Sequence, residues 1–408
     1  MKALGPIPPE FSAIDGELAI GGRRASALVK EAGDTPLFVY SREIIEHQIA
    51  GLRKVMPERL NIHYAMKANP YGPLLEFLAD LVDGLDIASS GELEQAREAG
   101  YLPREISFAG PGKRDRELWA AIRAGVTLNI ESENEAQRAL QMGKELGVIP
   151  RMAIRVNPTF ELRGSGMKMG GGAKPFGVDA DRVPDLARRI VDAGANWRGF
   201  HIYSGSQALD AEALIEAQGH VLDLAAQLAR DAGVEVPHLN MGGGFGIPYF
   251  DKDRPLDITA IGAALAQRFA ALPEVLEKTK FAIELGRYLV GEAGVYLTRI
   301  VDRKESHGTT YLITDGGLHH QLAASGNFGT VVRRNYPAAI VTRFDDEPEE
   351  VVNVVGCLCT PLDRLADAAH LPRAEVGDLV AIFCAGAYGA SASPATFLGQ
   401  GAAREMLV

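Results

Sequence analysis

Eight short apolar runs, each closing on small or polar residues, constrain this chain more than any other feature. They occupy residues 61–67, 85–88, 106–109, 128–131, 151–157, 199–204, 238–242 and 281–284, and helical patterns separate them. "GPLLEFLADLV" spaces its leucines at helical intervals, while "SSGELEQAREAG" starts on serines able to cap a helix and stops at glycine. Such β/α alternation builds a parallel sheet, and eight repeats predict an α/β fold closed into a (β/α)8 TIM-like barrel. Beyond Gly286 the texture changes to β-branched runs such as "GVYLTRIVDRK", "TTYLITDGG" and "VVNVVGCLC". These predict a mostly antiparallel β domain. The expected division is a barrel over 36–285 and a β domain over 1–35 and 286–408, with "ELAIGG" near the start joining its sheet.

At 408 residues and 47% hydrophobic, the chain can bury sizeable cores. Its formal charge of −11 leaves no surplus of Lys and Arg for nucleic-acid phosphates, so a small-molecule partner is expected. No apolar run is long enough to span a bilayer. Three cysteines and the lack of a charged-then-apolar leader favour the cytoplasm. Cys357-x-Cys359 and the pair His319–His320 lack the usual zinc arrangement, so no metal is expected.

In a β/α barrel, reactive residues stand at the carboxyl ends of the strands. Strand one ends in "HYAMKANP" with Lys67, strand six in "HIYSGSQ", strand seven in "NMGGGFG" and strand eight in "ELGR". The cluster Gly242–Gly246 lets backbone N–H groups approach an anion, and Arg287 adds a forked cationic donor; tight packing is the plain alternative for the glycines. Its spacing does not satisfy G-x-G-x-x-G. Lys67 in an apolar mouth would be desolvated into a nucleophilic amine able to form a Schiff base, against the plain reading of a surface lysine. An amine facing a phosphate cradle suits an aldehyde cofactor that carries a phosphate, pyridoxal 5'-phosphate. Its ring nitrogen calls for a carboxylate, and Glu284 is the candidate, with a salt bridge to Arg287 as the alternative. The glycine-rich "GSGMKMGGG" at 164–172 reads as a mobile surface loop or as a lid.

In this order the motifs resemble those of the fold-type III pyridoxal-phosphate decarboxylases, the family of ornithine, arginine and diaminopimelate decarboxylases, over nearly the whole chain. "YAMKANP" is similar to the Schiff-base lysine motif, "GLDIASSGEL" with Asp86 to the second-strand motif, "NMGGGFG" to the phosphate loop, and "ELGRYLVGEAG" to the pyridine-carboxylate segment. "GCLCTPLDRLA" and "GAYGAS" are similar to two late segments that reach the active site from the β domain. The resemblance implies that Lys67 holds the cofactor, Glu284 faces its nitrogen, and Gly243, Gly244, Arg287 and Ser206 bind phosphate. It further implies a homodimer in which Cys359 and Asp363 come from the neighbouring subunit, Cys359 as proton donor, with Tyr388 on the cofactor side.

Two departures bear on the substrate. Where the family stacks a histidine on the ring, this chain has Tyr203, with His201 two residues earlier; Tyr203 is expected to stack with His201 beside it. Where diamine-forming relatives carry an acid after the cysteine, Thr360 stands here, and Asp315 in "LITDGG" is the remaining acid that could face a substrate. The arginine motif of diaminopimelate decarboxylases is replaced by "LHHQLAASGNFG". The chain looks most like an offshoot found with bacterial exosortase and polysaccharide loci, similar to decarboxylases of aminoacyl groups tethered to a carrier protein. The expected reaction is loss of an α-carboxylate from a free or carrier-bound amino acid. Ornithine, lysine and diaminopimelate remain alternative substrates, and amino-acid racemisation an alternative reaction.

Overall fold

The computed structural model describes residues 1–326 and 333–408. The chain divides into two units: Ile49–Gly246 with Leu256–Gly286, and Met1–Gln48 with Ile247–Pro255 and Arg287–Val408.

Eight parallel strands circle the first unit in sequence order: Leu60–Ala65, Gly84–Ile87, Ile106–Phe108, Thr127–Ile130, Arg151–Asn157, Asn196–Ile202, His238–Asn240 and Lys280–Leu285. The last pairs with the first, Phe281 opposite Leu60 and Leu285 opposite Tyr64, and Thr127–Ile130 pairs with Arg151–Asn157, so the barrel closes. The outer helices form where polar residues can accept their first free N–H groups. Ser89 accepts from Glu92 N at 3.1 Å to start Ser90–Glu98, and Ser132 accepts from Glu135 N at 3.1 Å to start Glu133–Leu146. In Val183–Asp192 the buried residues Val183, Leu186, Ala187 and Ile190 recur three to four apart. Each large aliphatic so buried contributes about 1.5–3 kcal/mol.

The barrel strands and their ends also carry buried polar residues, Asp86, Asn129, Glu131, Arg155, His201 and Glu284 among them. Buried charges persist when paired, and Arg155 lies 2.9 Å from Glu131. Several strand ends differ by a residue or more from the sequence expectation, and two of them bear on the site. The first strand stops at Ala65, and Met66–Ala68 forms a 3-10 turn, because the following Asn69-Pro70 cannot continue a ladder. The sixth runs over Asn196–Ile202, ending before Tyr203.

The second unit is a mixed sheet in the order Ala338–Ile340, Leu379–Ile382, Gly294–Ser306, Thr309–Thr314, Glu350–Val355 and Arg364–Leu371. Antiparallel pairs predominate, but Thr309–Thr314 runs parallel to Glu350–Val355, and Arg404–Leu407 parallel to Leu37–Tyr40. "ELAIGG" does not join this sheet. Glu17–Ile20 pairs instead with Ser12–Ile14 and Arg23–Arg24 in a small sheet of its own, because tight turns at Asp15-Gly16 and Gly21-Gly22 fold it onto its sequence neighbours. Leu37–Tyr40, buried along its length, takes the place beside residues 294–297.

Candidate active site

The carboxyl ends of the barrel strands bring together residues far apart in sequence. Lys67 sits on the turn after the first strand, and its Nζ lies 5.5 Å from the centre of the Tyr203 ring. The residue is exposed, so the apolar desolvation expected for it is not found in the single chain; the 3-10 turn carries it beyond the strand's buried end. Asp86, opposite Ala65 on the second strand, is buried, 3.6 Å from His63 Nδ1, and neither of its oxygens has a hydrogen-bond partner among the described residues.

Glu284, on the last strand, is buried, and its Oε2 contacts His201 Nε2 at 2.8 Å and accepts from Asn240 Nδ2 at 3.3 Å. Burial alone would raise its pKa, but the charge and hydrogen bond of His201, helped by Lys67 and Arg155, hold the carboxyl well below the usual range. Glu284 is therefore an anion at neutral pH. Both donors converge on Oε2, which leaves Oε1 as the acceptor for a ring N–H. The partner of Glu284 is thus His201, on the sixth strand, a link the spacing of "HIYSGSQ" did not disclose. Asn240 was also missed; its Oδ1 accepts from Gly242 N at 2.9 Å, so one amide ties the carboxylate to the glycine loop. The signal lay in the first letter of "NMGGGFG".

The glycine loop is built to lie flat against its surroundings. A Cβ on Gly243 would stand 1.9 Å from the Glu284 carbonyl oxygen, and Gly244 has φ +93°, a region costly for other residues. Ala208 N donates to Gly244 O at 2.9 Å and Gly246 N to Ala208 O at 2.9 Å, which sets the segment carrying Ser206 beside the loop. Met167–Lys168 pairs antiparallel with Gly205–Ser206, and Met169 N and Gly170 N donate to Ser204 O. The segment 164–172 is therefore laced to the "SGSQ" backbone and is not a loose surface loop. Changing Gly243 to Ala should push Glu284 off its strand position, lowering stability by about 1–3 kcal/mol and loosening cofactor retention. Thermal unfolding and gel filtration of the variant measure both effects.

In the second unit Arg287 is buried, its Nη1 donates to the Tyr249 hydroxyl at 2.7 Å, and its guanidinium carbon lies 4.7 Å from the Tyr388 ring centre. Burial opposes its charge, but the surrounding tyrosine hydroxyls raise its pKa further, so it stays cationic. Tyr388 holds φ +57°, a strained value for a side chain of that size. Asp363 is buried and accepts from Leu318 N at 2.7 Å and Leu358 N at 2.8 Å; Gly317 and Gly356 leave room for its carboxylate. It knots the "DGG" and "GCLC" turns together, and Cys359 projects from the second of them, exposed. Thr360 accepts from Leu362 N at 3.4 Å through its hydroxyl. Asp315 accepts from Thr35 Oγ1, from Thr298 Oγ1 at 2.7 Å and from Arg299 N at 2.9 Å, so its carboxylate is engaged within its own unit. The end of "LHHQLAASGNFG", residues 327–329, lies outside the described residues.

An ionised carboxylate with one oxygen held and one left over, an amine near an aromatic face, and a glycine loop without room for side chains fit a phosphorylated pyridine aldehyde. Comparison with known proteins agrees. The family described as "Pyridoxal-dependent decarboxylase, pyridoxal binding domain" matches residues 42–291. The chain belongs to this family. Among curated relatives, it is 35% identical to the L-glutamyl-[BtrI acyl-carrier protein] decarboxylase of Niallia circulans, over 92% of this chain and 89% of that one. It is 32% identical to the diaminopimelate decarboxylase of Archaeoglobus fulgidus, over 93% and 89%. Among solved structures, diaminopimelate decarboxylase from M. jannaschii in complex with L-lysine superimposes with a TM-score of 0.88 at 27% identity, covering 98% of this chain and 93% of that one. The protein is a pyridoxal-phosphate-dependent decarboxylase of fold type III. Among the described residues, no helix of this decarboxylase is long and apolar enough to cross a membrane.

Proposed function

We propose that this decarboxylase removes the α-carboxylate of an aminoacyl group carried on a carrier protein, as a homodimer, with Lys67 holding the cofactor as a Schiff base. The observation that carries the substrate reading is the state of the two positions where a free diamino acid would need a charge partner. Thr360 is neutral, and Asp315 already takes three donors. A distal ammonium left without a carboxylate loses the charge-assisted hydrogen bond that offsets its desolvation. The likeness to a decarboxylase of a carrier-bound glutamyl group points the same way.

Pyridoxal phosphate, when bound, supplies the electron sink into which the bond to the departing carboxylate empties. This chain supplies position and charge. Lys67 provides the amine, and Tyr203, beside it, the flat face for the ring. Glu284 would keep a proton on the ring nitrogen, while His201 and Asn240 fix its Oε2. Gly243, Gly244 and Ser206 offer N–H and hydroxyl donors to the phosphate, and Arg287 a fixed positive charge. Cys359, held on a turn knotted by Asp363, would return the proton to the product carbon from the neighbouring subunit, with Tyr388 on the cofactor side.

Carbon dioxide release from free glutamate, ornithine, lysine and diaminopimelate, compared with release from aminoacyl carrier proteins, tests the reading. Turnover is expected only with tethered substrates. Efficient turnover of free diaminopimelate would overturn the substrate assignment and favour the second reading, which the diaminopimelate decarboxylases among its relatives support. Racemisation without carbon dioxide release would contradict both. Sedimentation at the mass of a monomer would remove the shared-site arrangement.

A further inference from the structure

At the end of the barrel opposite Lys67, the amino-terminal ends of the strands enclose a cavity of about 370 Å³. Barrels of this kind ordinarily fill that space with branched aliphatic side chains. Here Ile106, Phe200, Leu239 and Phe281 share the lining with Ser107, Thr127, Asn129 and Ala153, whose small side chains leave it open. Along one arc of its rim three cations stand with a histidine. Arg151, Arg198, His238 and Lys280 stand on four consecutive strands: Asn196–Ile202 pairs with Arg151–Asn157 on one side and His238–Asn240 on the other, and His238 lies opposite Lys280.

Among the described residues, no carboxylate pairs with Arg151, Arg198 or Lys280. The two acids in the lining are turned to other work: Asp83 accepts from Ile62 N at 2.7 Å and from Arg53 at 3.0 Å, and Glu105 accepts from Leu102 N at 3.2 Å. The Nε groups of Arg151 and Arg198 are buried without an acceptor among the described residues. Arg198 instead meets His238 Nε2. The surroundings report the same field. Burial first, then Arg198, Lys280 and Arg151, push His238 down to about 4, and burial together with Arg151 pushes Arg198 down to about 10.

Two half-buried guanidinium groups beside each other are costly unless an anion joins them. We propose that the floor of the barrel is a binding site for a small multivalent oxyanion of the phosphate class, gripped by Arg151 and Arg198 with Lys280 at the rim. The cavity has room for such an ion and several ordered waters. The site is separate from the glycine loop at the other mouth and does not depend on which amino acid is decarboxylated.

The test uses the cofactor-loaded enzyme, so that the glycine loop is already filled, and titrates inorganic phosphate by calorimetry and thermal unfolding, with chloride matching ionic strength. The expected result is saturable binding that raises the Tm while the cofactor's visible absorption stays unchanged. Arg151→Gln and Arg198→Gln should each weaken phosphate binding about ten- to a hundredfold, the loss expected for a hydrogen bond to a charged group. Arg198→Gln should also unfold at a higher temperature than the parent in chloride alone, since it relieves the repulsion from Arg151. Lys280→Gln, a change at an exposed position, should weaken phosphate about threefold and keeps the test open if the arginine variants do not fold. A Tm response no larger than that to chloride, or wild-type phosphate affinity in the folded variants, overturns the site. Tighter binding of malonate than of phosphate overturns the phosphate class.

Discussion

Lys67→Ala is expected to lower carbon dioxide release by about four orders of magnitude or more, the scale on which removal of a covalent catalyst's nucleophile acts. The variant should also lose its cofactor on gel filtration and with it the visible absorption of the lysine adduct. The expectation follows from position: Lys67 Nζ lies 5.5 Å from the Tyr203 ring centre, on a turn fixed between the first strand and Asn69, whose N–H returns to Met66 O at 3.1 Å. Lys67→Arg separates charge from covalency. It keeps a cation there, but its guanidinium does not deprotonate to act as a nucleophile, so it should be as inactive as the alanine variant. An arginine variant with near-normal turnover would reduce Lys67 to an electrostatic role.

The second large effect concerns Glu284. Glu284→Gln preserves shape and lets the amide oxygen keep the His201 contact, but it removes the anion, and kcat should fall about 10²- to 10³-fold while cofactor binding largely persists. The pH dependence of stability gives an independent measure. The folded-state pKa of Glu284 is depressed below the ordinary 4.5, so the unfolded chain holds the proton more tightly. The ionised side chain therefore contributes stability that is full above the ordinary carboxylate range and is lost as pH falls through the lower folded value. The Tm difference between wild type and Glu284→Gln should be greatest near neutral pH and shrink steadily below about pH 4.5. A difference that stays constant into acid would mean that His201 and Lys67 do not hold the carboxyl down.

Much of this site was legible because its signals are local. Lys67, Glu284 and Gly243 each stand at or just past a strand end, and in a parallel barrel every such end opens on the same face. The order of the motifs along the chain carried the family and the cofactor. Partnerships were not legible, since a hydrogen bond joins atoms whatever their separation in sequence. His201 and Glu284 are 83 residues apart, and nothing in either segment names the other. Asp315 shows the same limit: its motif suggested a substrate contact, and nothing in it disclosed the three donors from other segments that meet its carboxylate.

From the amino-acid order alone came the alternation that closes a barrel, the lysine and carboxylate at its mouth and the glycines between them, because periodicity and residue chemistry are properties of short segments. Tertiary structure alone decided which oxygen of Glu284 is held, how the segment 164–172 is laced to Ser204, and that Arg151, Arg198 and Lys280 converge with His238 on one cavity. Those depend on strand register and on the curvature of the closed sheet, which set distances that no local pattern encodes.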